Sequence, residues 1–201
     1  MATRHRSDVV SLDLERPIWS RFFSIAPLVV IGTREPSGDY DLAPKHMVCP
    51  LSWGPYFGFV CTPRHATYRN IRREGAFTVS FPRPDQVVLA SLAASPRCED
   101  VKEIMRGIPT VAAEVVDGVL LERAYLLLEC ELDRFVDGFD ENSLIAGRVV
   151  AARVDRRALR ASDRDDTETL ADCPLLAYLH PDHFAEIKQG RALPLPAGFR
   201  R

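Results

Sequence analysis

The residues best placed to do chemistry lie where a predicted strand leads into a predicted helix. Residues 56–61 form an apolar run typical of a strand, and Thr62 and Pro63 suit the N-cap and the first position of a helix. We expect this helix to end at Gly75. Because a helix N-terminus carries unpaired N–H groups and a partial positive charge, the junction predicts a site for an anion.

Polar side chains near the start of this helix add donors to the predicted site. Arg64 and His65 fall in the first turn, while Thr67 supplies a hydroxyl and Asn70 an amide. Thr67 and Asn70 are three positions apart, so they lie near one another on a helix surface. Two interpretations stay open: a phosphate site, or an ordinary capped helix with a solvated arginine and an asparagine bonded to a neighbouring loop.

A second candidate segment, residues 41–47, precedes this helix. Pro44 forces an extended or turning backbone at Ala43. Lys45 and His46 are adjacent, so in a strand they point to opposite faces, and one of them can reach a ligand while the other meets solvent. A lone histidine is more often structural than a ligand, and that alternative also stays open.

Zinc binding is a rival chemistry for the same region. The pairs His46-x2-Cys49 and Cys61-x3-His65 resemble zinc-ligand spacings. However, their order differs from that of the usual finger, and both cysteines lie in apolar strands, where thiols are usually packed and inert. No P-loop, GxSxG or GxGxxG motif occurs in the chain.

Composition restricts the class of protein. The chain has 201 residues with 26 basic and 28 acidic side chains, a balance that does not favour a nucleic-acid partner. The five cysteines are odd in number and form no CxxC pair, which favours reduced thiols in the cytoplasm. The N-terminus has no apolar region typical of a signal peptide, and the longest uncharged stretch is interrupted by proline and glycine, so we expect no membrane span.

Hydrophobic periodicity predicts one β-rich domain over residues 1–201, with roughly six to eight strands and two or three helices. The predicted strands are 28–33, 40–43, 47–52, 56–61, 76–81, 124–136, 144–154 and 175–179. The other predicted segments are a polar arm over 1–15, a short helix over 16–25, a mostly helical segment over 84–107, a loop over 160–172, a short helix from Pro181 and a Pro-rich tail over 193–201.

The predicted strand 124–136 alternates in polarity and indicates one buried face. Leu128, Cys130 and Leu132 should face the core, whereas Glu129, Glu131 and Asp133 should face solvent. A turn is expected at Asp137-Gly138, followed by the returning strand. Since sustained βαβ alternation is absent, a closed or nearly closed antiparallel barrel fits best, because closure removes exposed edges.

Several segments, taken in order, resemble the flavin reductase-like proteins of the FMN-binding split-barrel fold. The first segment, Pro27-Leu28-Val29-Val30-Ile31-Gly32-Thr33, is similar to the family's opening strand. Two more follow: Asp41-Leu42-Ala43-Pro44-Lys45-His46 is similar to the family pattern Asn-x-Ala-Pro-x-Ser, and Ser52 with Pro55 matches Ser-x-x-Pro. The last two are His65-Ala66-Thr67-Tyr68-Arg69-Asn70-Ile71, which matches His-x-Thr-x-x-Asn-Ile, and Gly75-Ala76-Phe77-Thr78-Val79-Ser80-Phe81-Pro82, which is similar to Gly-x-Phe-x-Val-Asn-x-Pro. The chain departs from the pattern at Asp41, His46 and Ser80, where the family has Asn, Ser and Asn.

The resemblance implies an antiparallel Greek-key split β-barrel that binds FMN and transfers hydride from NADH or NADPH to flavin. It also implies a homodimer with the flavin near the subunit interface, and a monooxygenase or another flavin acceptor as a further partner. A non-catalytic FMN electron carrier is the alternative.

The resemblance assigns no catalytic side chain and no metal ligand. Thr62, Arg64, His65, Thr67 and Asn70 are expected to hold the phosphate. The ribityl chain and the ring are expected against Ala43, Pro44, Lys45, His46, Met47, Ser52 and Trp53.

Overall fold

The computed structural model of the chain describes residues 8–97, 102–160, 165–196 and residue 198. Residues 1–7 of the expected polar arm, 98–101 of the expected helical segment, 161–164 of the expected loop and most of residues 197–201 in the tail lie outside the described residues.

The chain is mainly β, and its described residues form twelve strands and three short α-helices. The strands are β1 Ser24–Pro27, β2 Val29–Arg34, β3 Tyr40–Lys45, β4 Val48–Pro50, β5 Tyr56–Cys61, β6 Ala76–Phe81, β7 Thr110–Ala112, β8 Val119–Leu121, β9 Leu126–Phe139, β10 Asn142–Val154, β11 Leu175–His180 and β12 His183–Ile187. The α-helices are α1 Ala66–Glu74, α2 Val87–Leu92 and α3 Asp166–Asp172, and short 3₁₀ turns occur at Trp19–Arg21, Pro84–Gln86 and Glu103–Gly107.

Seven strands form one antiparallel sheet in the order β3-β2-β6-β9-β10-β5-β4. This sheet curls into a half-barrel whose two edge strands, β3 and β4, follow one another in the chain. A three-stranded sheet, β1-β11-β12, and the β7-β8 hairpin complete the architecture. The predicted fold class, an antiparallel split β-barrel, is confirmed.

The strand β2 is buried on both faces, which explains its unbroken apolar run. On one face, Val29 and Ile31 pack in a cluster that also contains Phe59, Phe77 and Ile71 of α1. The rings of Phe59 and Phe77 meet edge to face at 5.4 Å. Helix α1 is therefore fixed against the sheet by the same core that holds the central strands together.

The opposite face of β2 packs on a second cluster. Val30 contacts a group that includes Leu42 of β3, Ala90 of α2 and Leu121 of β8. These contacts place α2 and the β7-β8 hairpin on the outer side of the half-barrel, next to the strand that carries the candidate segment 41–47.

Helix α1 ends where the sequence predicts. Gly75 has a φ of 69°, a left-handed conformation that favours glycine, and its N–H donates to the carbonyl of Ile71 at 2.9 Å. The next strand, β6, starts directly afterwards at Ala76. The predictions for β5 and β6 are confirmed at both ends.

Several local predictions are wrong because pairing with distant segments decides the conformation. The expected helix over 16–25 is a single 3₁₀ turn followed by β1, which pairs with β11. The expected short helix from Pro181 is instead a turn at Asp182, with a φ of 57°, leading into β12. In the predicted helical segment 84–107, the only described α-helical part is Val87–Leu92.

The acidic stretch expected to be a loop contains helix α3. The side chain of Asp165 accepts the N–H of Thr167 at 2.6 Å and caps the helix, so its acidity favours a helix N-terminus rather than opposing regular structure.

The strand β9 departs from the expected alternation at one residue. Cys130 is buried as predicted, but Glu129 is buried as well. Its carboxylate is covered by the turn between β7 and β8, which donates three backbone N–H groups to it. The strand also continues past the expected turn, and the chain reverses at Asp140, where φ is 52°.

Candidate functional site

The two candidate segments meet in one cleft of about 250 Å³. From β3 it is lined by Ala43, Pro44 and Lys45, and from the start of α1 by His65, Ala66 and Thr67. Asp41 of β3 and, from the segments after it in the chain, Ala93, Ala94, Arg97 and Lys102 also line it. Five residues named from the sequence, at 43–45, 65 and 67, therefore share one space.

The start of α1 lies later than predicted. The helix begins at Ala66 with His65 as its N-cap, and no side chain caps its first turn. Thr62 instead belongs to a preceding turn, in which its carbonyl accepts the N–H of His65 at 3.0 Å. The prediction of Thr62 as N-cap is wrong, because the Thr62 hydroxyl closes only the local turn, 3.5 Å from the N–H of Arg64. An uncapped N-terminus is a better anion site than a capped one, since its N–H groups remain available.

Lys45 places a positive charge in this cleft. The side chain is half-buried, its amine lies 3.4 Å from the carbonyl of Pro44, and no carboxylate of the described residues lies within ion-pair distance. Burial lowers the pKa of Lys45, against the attraction of the Cys61 and Asp41 side chains. A buried cation without an acidic partner is costly, and an incoming anion would offset that cost.

Further cations surround His65. His65 is exposed, but partial desolvation of its ring lowers its pKa, and the positive charges of Lys45, Arg64 and Arg69 lower it further. His65 therefore stays neutral near pH 7 and can donate through an N–H group. The Arg64 side chain is exposed and forms an ion pair with Glu141 on the turn between β9 and β10.

Asn70 has a structural bond in addition to any ligand contact. Its amide nitrogen donates to the Thr33 hydroxyl at 3.0 Å, and its oxygen accepts a bond from Arg73 at 3.2 Å. The residue is buried and ties α1 to β2. Thr67 is also buried, and it lines the cleft that Asn70 does not reach.

The charge of Asp41, one of the three residues that depart from the family pattern, is neutralised within the chain. Its buried carboxylate contacts Lys102 at 3.0 Å and Arg97 at 2.8 Å. Lys102 also donates to the carbonyl of Leu42 at 2.7 Å and to that of Ala93. The two cations remove the repulsion that Asp41 would otherwise exert on an anion. Sequence reasoning missed both, because they lie over 50 residues away and no spacing pattern links them to Asp41.

His46 points away from this cleft, as the alternation along a strand requires. Its ring stacks on Tyr178 at 4.4 Å and on His180 at 5.5 Å, and it lines a separate space of about 400 Å³. Pro44 lines both spaces. Burial lowers the pKa of His46, with smaller contributions from His180 and Lys45, so this ring is also neutral near pH 7.

The remaining candidates lie outside both spaces. Met47 is 51% exposed and Trp53 is 93% exposed. Ser52 closes the turn between β4 and β5, where its hydroxyl accepts the N–H of Gly54 at 3.0 Å. Of the phosphate-binding candidates, the structure thus brings His65 and Thr67 into the cleft, whereas Thr62, Arg64 and Asn70, like Ser52 and Trp53, lie outside it.

Cys61 and His65 lie close together, with the thiol sulfur 3.8 Å from Nδ1 of the ring. Burial raises the pKa of the Cys61 thiol, which keeps it protonated. Across residues 8–97, 102–160 and 165–196, no group of three His, Cys, Asp or Glu side chains is arranged to hold a metal ion.

The curled antiparallel sheet, with its two edge strands adjacent in the chain, places the protein in the class of split β-barrel proteins. A family model described as "Flavin reductase like domain" matches residues 22–187, and the chain belongs to this flavin reductase-like family. No functionally curated protein matches the sequence.

Solved structures support the fold. A structure described as a flavin reductase with a split barrel domain, from Shewanella frigidimarina NCIMB 400, is 18% identical with a TM-score of 0.75, over 86% of this chain and 87% of that one. The flavoredoxin from Methanosarcina acetivorans is 20% identical with a TM-score of 0.74, over 96% and 98% of the two chains. BorF, the flavin reductase component of a bacterial two-component tryptophan halogenase, is 20% identical with a TM-score of 0.64, over 84% and 93%.

In the part of the chain that the structure describes, no helix has the length and apolar character needed to cross a membrane.

Proposed function

We propose that the protein is a flavin reductase that binds FMN and transfers hydride from NADH or NADPH to flavin. The phosphate of the bound FMN lies in the cleft between the end of β3 and the start of α1. The flavin supplies the redox chemistry when bound, and the chain supplies binding, orientation and electrostatics.

The observation that carries this proposal is the combination of an uncapped helix start with the cation of Lys45. The unpaired N–H groups at the start of α1 and the Lys45 amine both attract a phosphate. Without one, the N–H groups have no side-chain cap and the amine has no carboxylate partner among the described residues. Thr67 adds a hydroxyl in the same cleft, and His65 adds a neutral ring N–H. The donor set therefore fits the phosphate of a flavin nucleotide.

The aromatic space beside the cleft supports a ring-binding role for the other end of the ligand. Pro44 separates it from the phosphate cleft, and His46, Tyr178 and Phe184 line it. Flat rings stack favourably on such side chains. Hydride transfer to the flavin requires no side-chain acid or base in this proposal. The neutral His46 ring therefore serves only as a packing surface.

A homodimer completes the proposed site. The large side chains of Met47, Trp53 and Tyr56 are exposed, and all three belong to the β4-β5 hairpin or the residue before it. In the proposed dimer these residues are covered by a second copy, which brings Ser52 and Trp53 near the flavin of one of the subunits. A monooxygenase or another flavin acceptor in the cytoplasm then receives the reduced flavin.

The test is a flavin titration followed by a turnover assay. We expect the purified protein to bind FMN and then to oxidise NADH or NADPH. Lys45→Met should weaken FMN binding on the order of 30-fold, as expected for a hydrogen bond to a charged group. Lys188→Met is the matched control, because Lys188 is exposed and pairs only with Glu186.

Three outcomes are informative. Equal FMN affinities for the two variants would contradict the phosphate site. A protein that binds FMN but ignores both nicotinamide nucleotides, while accepting electrons from dithionite, would be an electron carrier. A protein that binds no flavin at all would overturn the proposal.

A further inference from the structure

The exposed side of helix α1 carries a row of arginines. The buried residues of the helix are Thr67, Tyr68, Asn70 and Ile71. Arg69, Arg72 and Arg73 are exposed, and their spacing of three and four positions places them on one side of the helix. We call these three residues the basic face. It runs away from His65 at the phosphate cleft, along a helix that is about 13 Å long.

The carboxylates next to the basic face are already engaged within the chain. Glu74 contacts Arg73 at 2.6 Å. Glu141, on the turn between β9 and β10, pairs with Arg64 in the turn before the helix. Asp137 accepts two hydroxyl hydrogen bonds. These carboxylates therefore leave part of the arginine charge uncompensated.

Arg69 and Arg72 are held in place but have no acidic partner. The guanidinium of Arg69 donates to the carbonyl of Arg64. That of Arg72 donates to the Tyr68 hydroxyl at 3.1 Å and lies 5.9 Å from the centre of the Phe135 ring. In the part of the chain that the structure describes, no carboxylate lies within ion-pair distance of either side chain. Because a held guanidinium loses less conformational freedom on binding, both residues are preorganised for a carboxylate.

We propose that the basic face binds an acidic segment of a partner protein. Two guanidiniums three positions apart on a helix match a pair of carboxylates that are equally close on the partner. A nucleic acid fits less well, because it is a continuous polyanion, whereas this face is short and the whole chain has a net charge of −2. The inference goes beyond the proposed function and does not depend on it. Since the basic face begins at the phosphate cleft, the partner docks beside the candidate ligand site.

The test measures binding of a fluorescently labelled octaglutamate peptide to the purified protein by fluorescence anisotropy. We expect saturable binding that weakens as sodium chloride rises from about 20 to about 150 mM, because salt screens exposed charges. Arg69→Glu and Arg72→Glu should each weaken binding about tenfold at the lower salt concentration, since each removes an attraction and adds a repulsion. The double variant Arg69→Gln/Arg72→Gln removes both charges without adding a repulsion, and it should also bind more weakly than the wild-type protein.

Arg160→Glu is the matched control, because it changes the net charge by the same amount at a different place. Arg160 is exposed and forms two bonds of 2.8 Å with Asp166 of helix α3. We expect this variant to change the peptide affinity by less than about twofold. An equal loss in Arg160→Glu and Arg69→Glu would show that only net charge matters and would overturn the inference.

Four other results would also contradict a protein-docking face. The first is no peptide binding by the wild-type protein at low salt, and the second is an unchanged affinity in the double glutamine variant. The third is displacement of the peptide by inorganic phosphate at constant ionic strength, which would place the peptide in the phosphate cleft. The fourth is an oligothymidylate that binds as tightly as the peptide and is equally sensitive to Arg69→Glu, which would assign the face to nucleic acid. These titrations contain no flavin, so their failure leaves the proposed function intact.

Discussion

The buried carboxylate of Glu129 in β9 and the half-buried amine of Lys45 in β3 differ in how the chain compensates their charge. The Glu129 carboxylate is 1% exposed and accepts the N–H groups of Glu114, Val115 and Val116 at 2.7 to 3.1 Å, with Arg153 at 3.3 Å. The amine of Lys45 has a carbonyl at 3.4 Å and no carboxylate partner among the residues described.

The difference distinguishes a structural charge, Glu129, from Lys45, the charge that we propose binds the ligand. Burial alone would raise the pKa of Glu129, but the three N–H groups and Arg153 hold the pKa below its ordinary value. Burial lowers the pKa of Lys45, and the Cys61 and Asp41 side chains only partly oppose it. A charge completed by its own chain stabilises the fold, whereas a charge left incomplete is available to a ligand.

The largest expected effect is at Glu129. Glu129→Ala removes the acceptor of three backbone N–H groups and one of the two carboxylate partners of Arg153, so we expect a loss of about 3 kcal/mol in the free energy of unfolding. Urea denaturation measures this loss. Glu131→Ala, at an exposed position paired with Arg148, should change stability by less than about 0.5 kcal/mol. Similar losses for both variants would remove the distinction between the two charges.

Asp41 tests an intermediate case, a buried charge whose partners flank the ligand cleft. Asp41→Asn restores the residue typical of the family but leaves Lys102 and Arg97 without the carboxylate, so we expect a loss of about 2 kcal/mol in stability. Flavin affinity should rise slightly, because the cleft gains net positive charge. Asp39→Asn is the exposed control. A flavin affinity that fell in Asp41→Asn would contradict this account of the cleft.

Lys45 should show the reverse of Glu129. Lys45→Met removes a half-buried cation, so we expect the free energy of unfolding to stay level or rise by about 1 kcal/mol. Added FMN should raise the melting temperature of the wild-type protein and leave that of Lys45→Met nearly unchanged. A variant that lost stability as Glu129→Ala does would make Lys45 a structural residue.

The smallest effects concern pH, and they have opposite directions at the two sites. The lowered pKa of Glu129 contributes stability above about pH 4.5, which is lost as the pH falls through the folded-state pKa. FMN binding should weaken as the pH rises, because the Lys45 amine loses its proton. Since the pKa of Lys45 is lowered, this weakening should begin below the ordinary lysine value of 10.5. Unfolding and flavin titrations across pH measure the two trends, and Lys45→Met should lack the second.

The sequence predicts the parts of this fold that depend on local signals. The strands β5 and β6 match their apolar runs, and α1 ends at Gly75 because glycine alone adopts that conformation easily. The start of α1 was misplaced because Thr62 and Pro63 satisfy the rules for a helix start equally well in a simple turn.

The parts that could not be predicted depend on partners far along the chain. The burial of Glu129 follows from the β7-β8 turn, and the neutralisation of Asp41 follows from Arg97 and Lys102. No periodicity in either segment indicates these contacts. For the candidate site, the sequence named the two segments that meet in the cleft, but not Arg97 and Lys102, which also line it.

The two sides of helix α1 have separate tasks, and this affects how the protein can change over generations. Ile71 attaches the helix to the sheet on one side, while Ala66 at the cleft and the exposed Arg69 lie on another. In the proposed flavin site, substitutions on the cleft side would therefore change the cleft without loosening the attachment. Helix α1 is thus a part of the molecule on which a new ligand preference could be selected while the fold is kept.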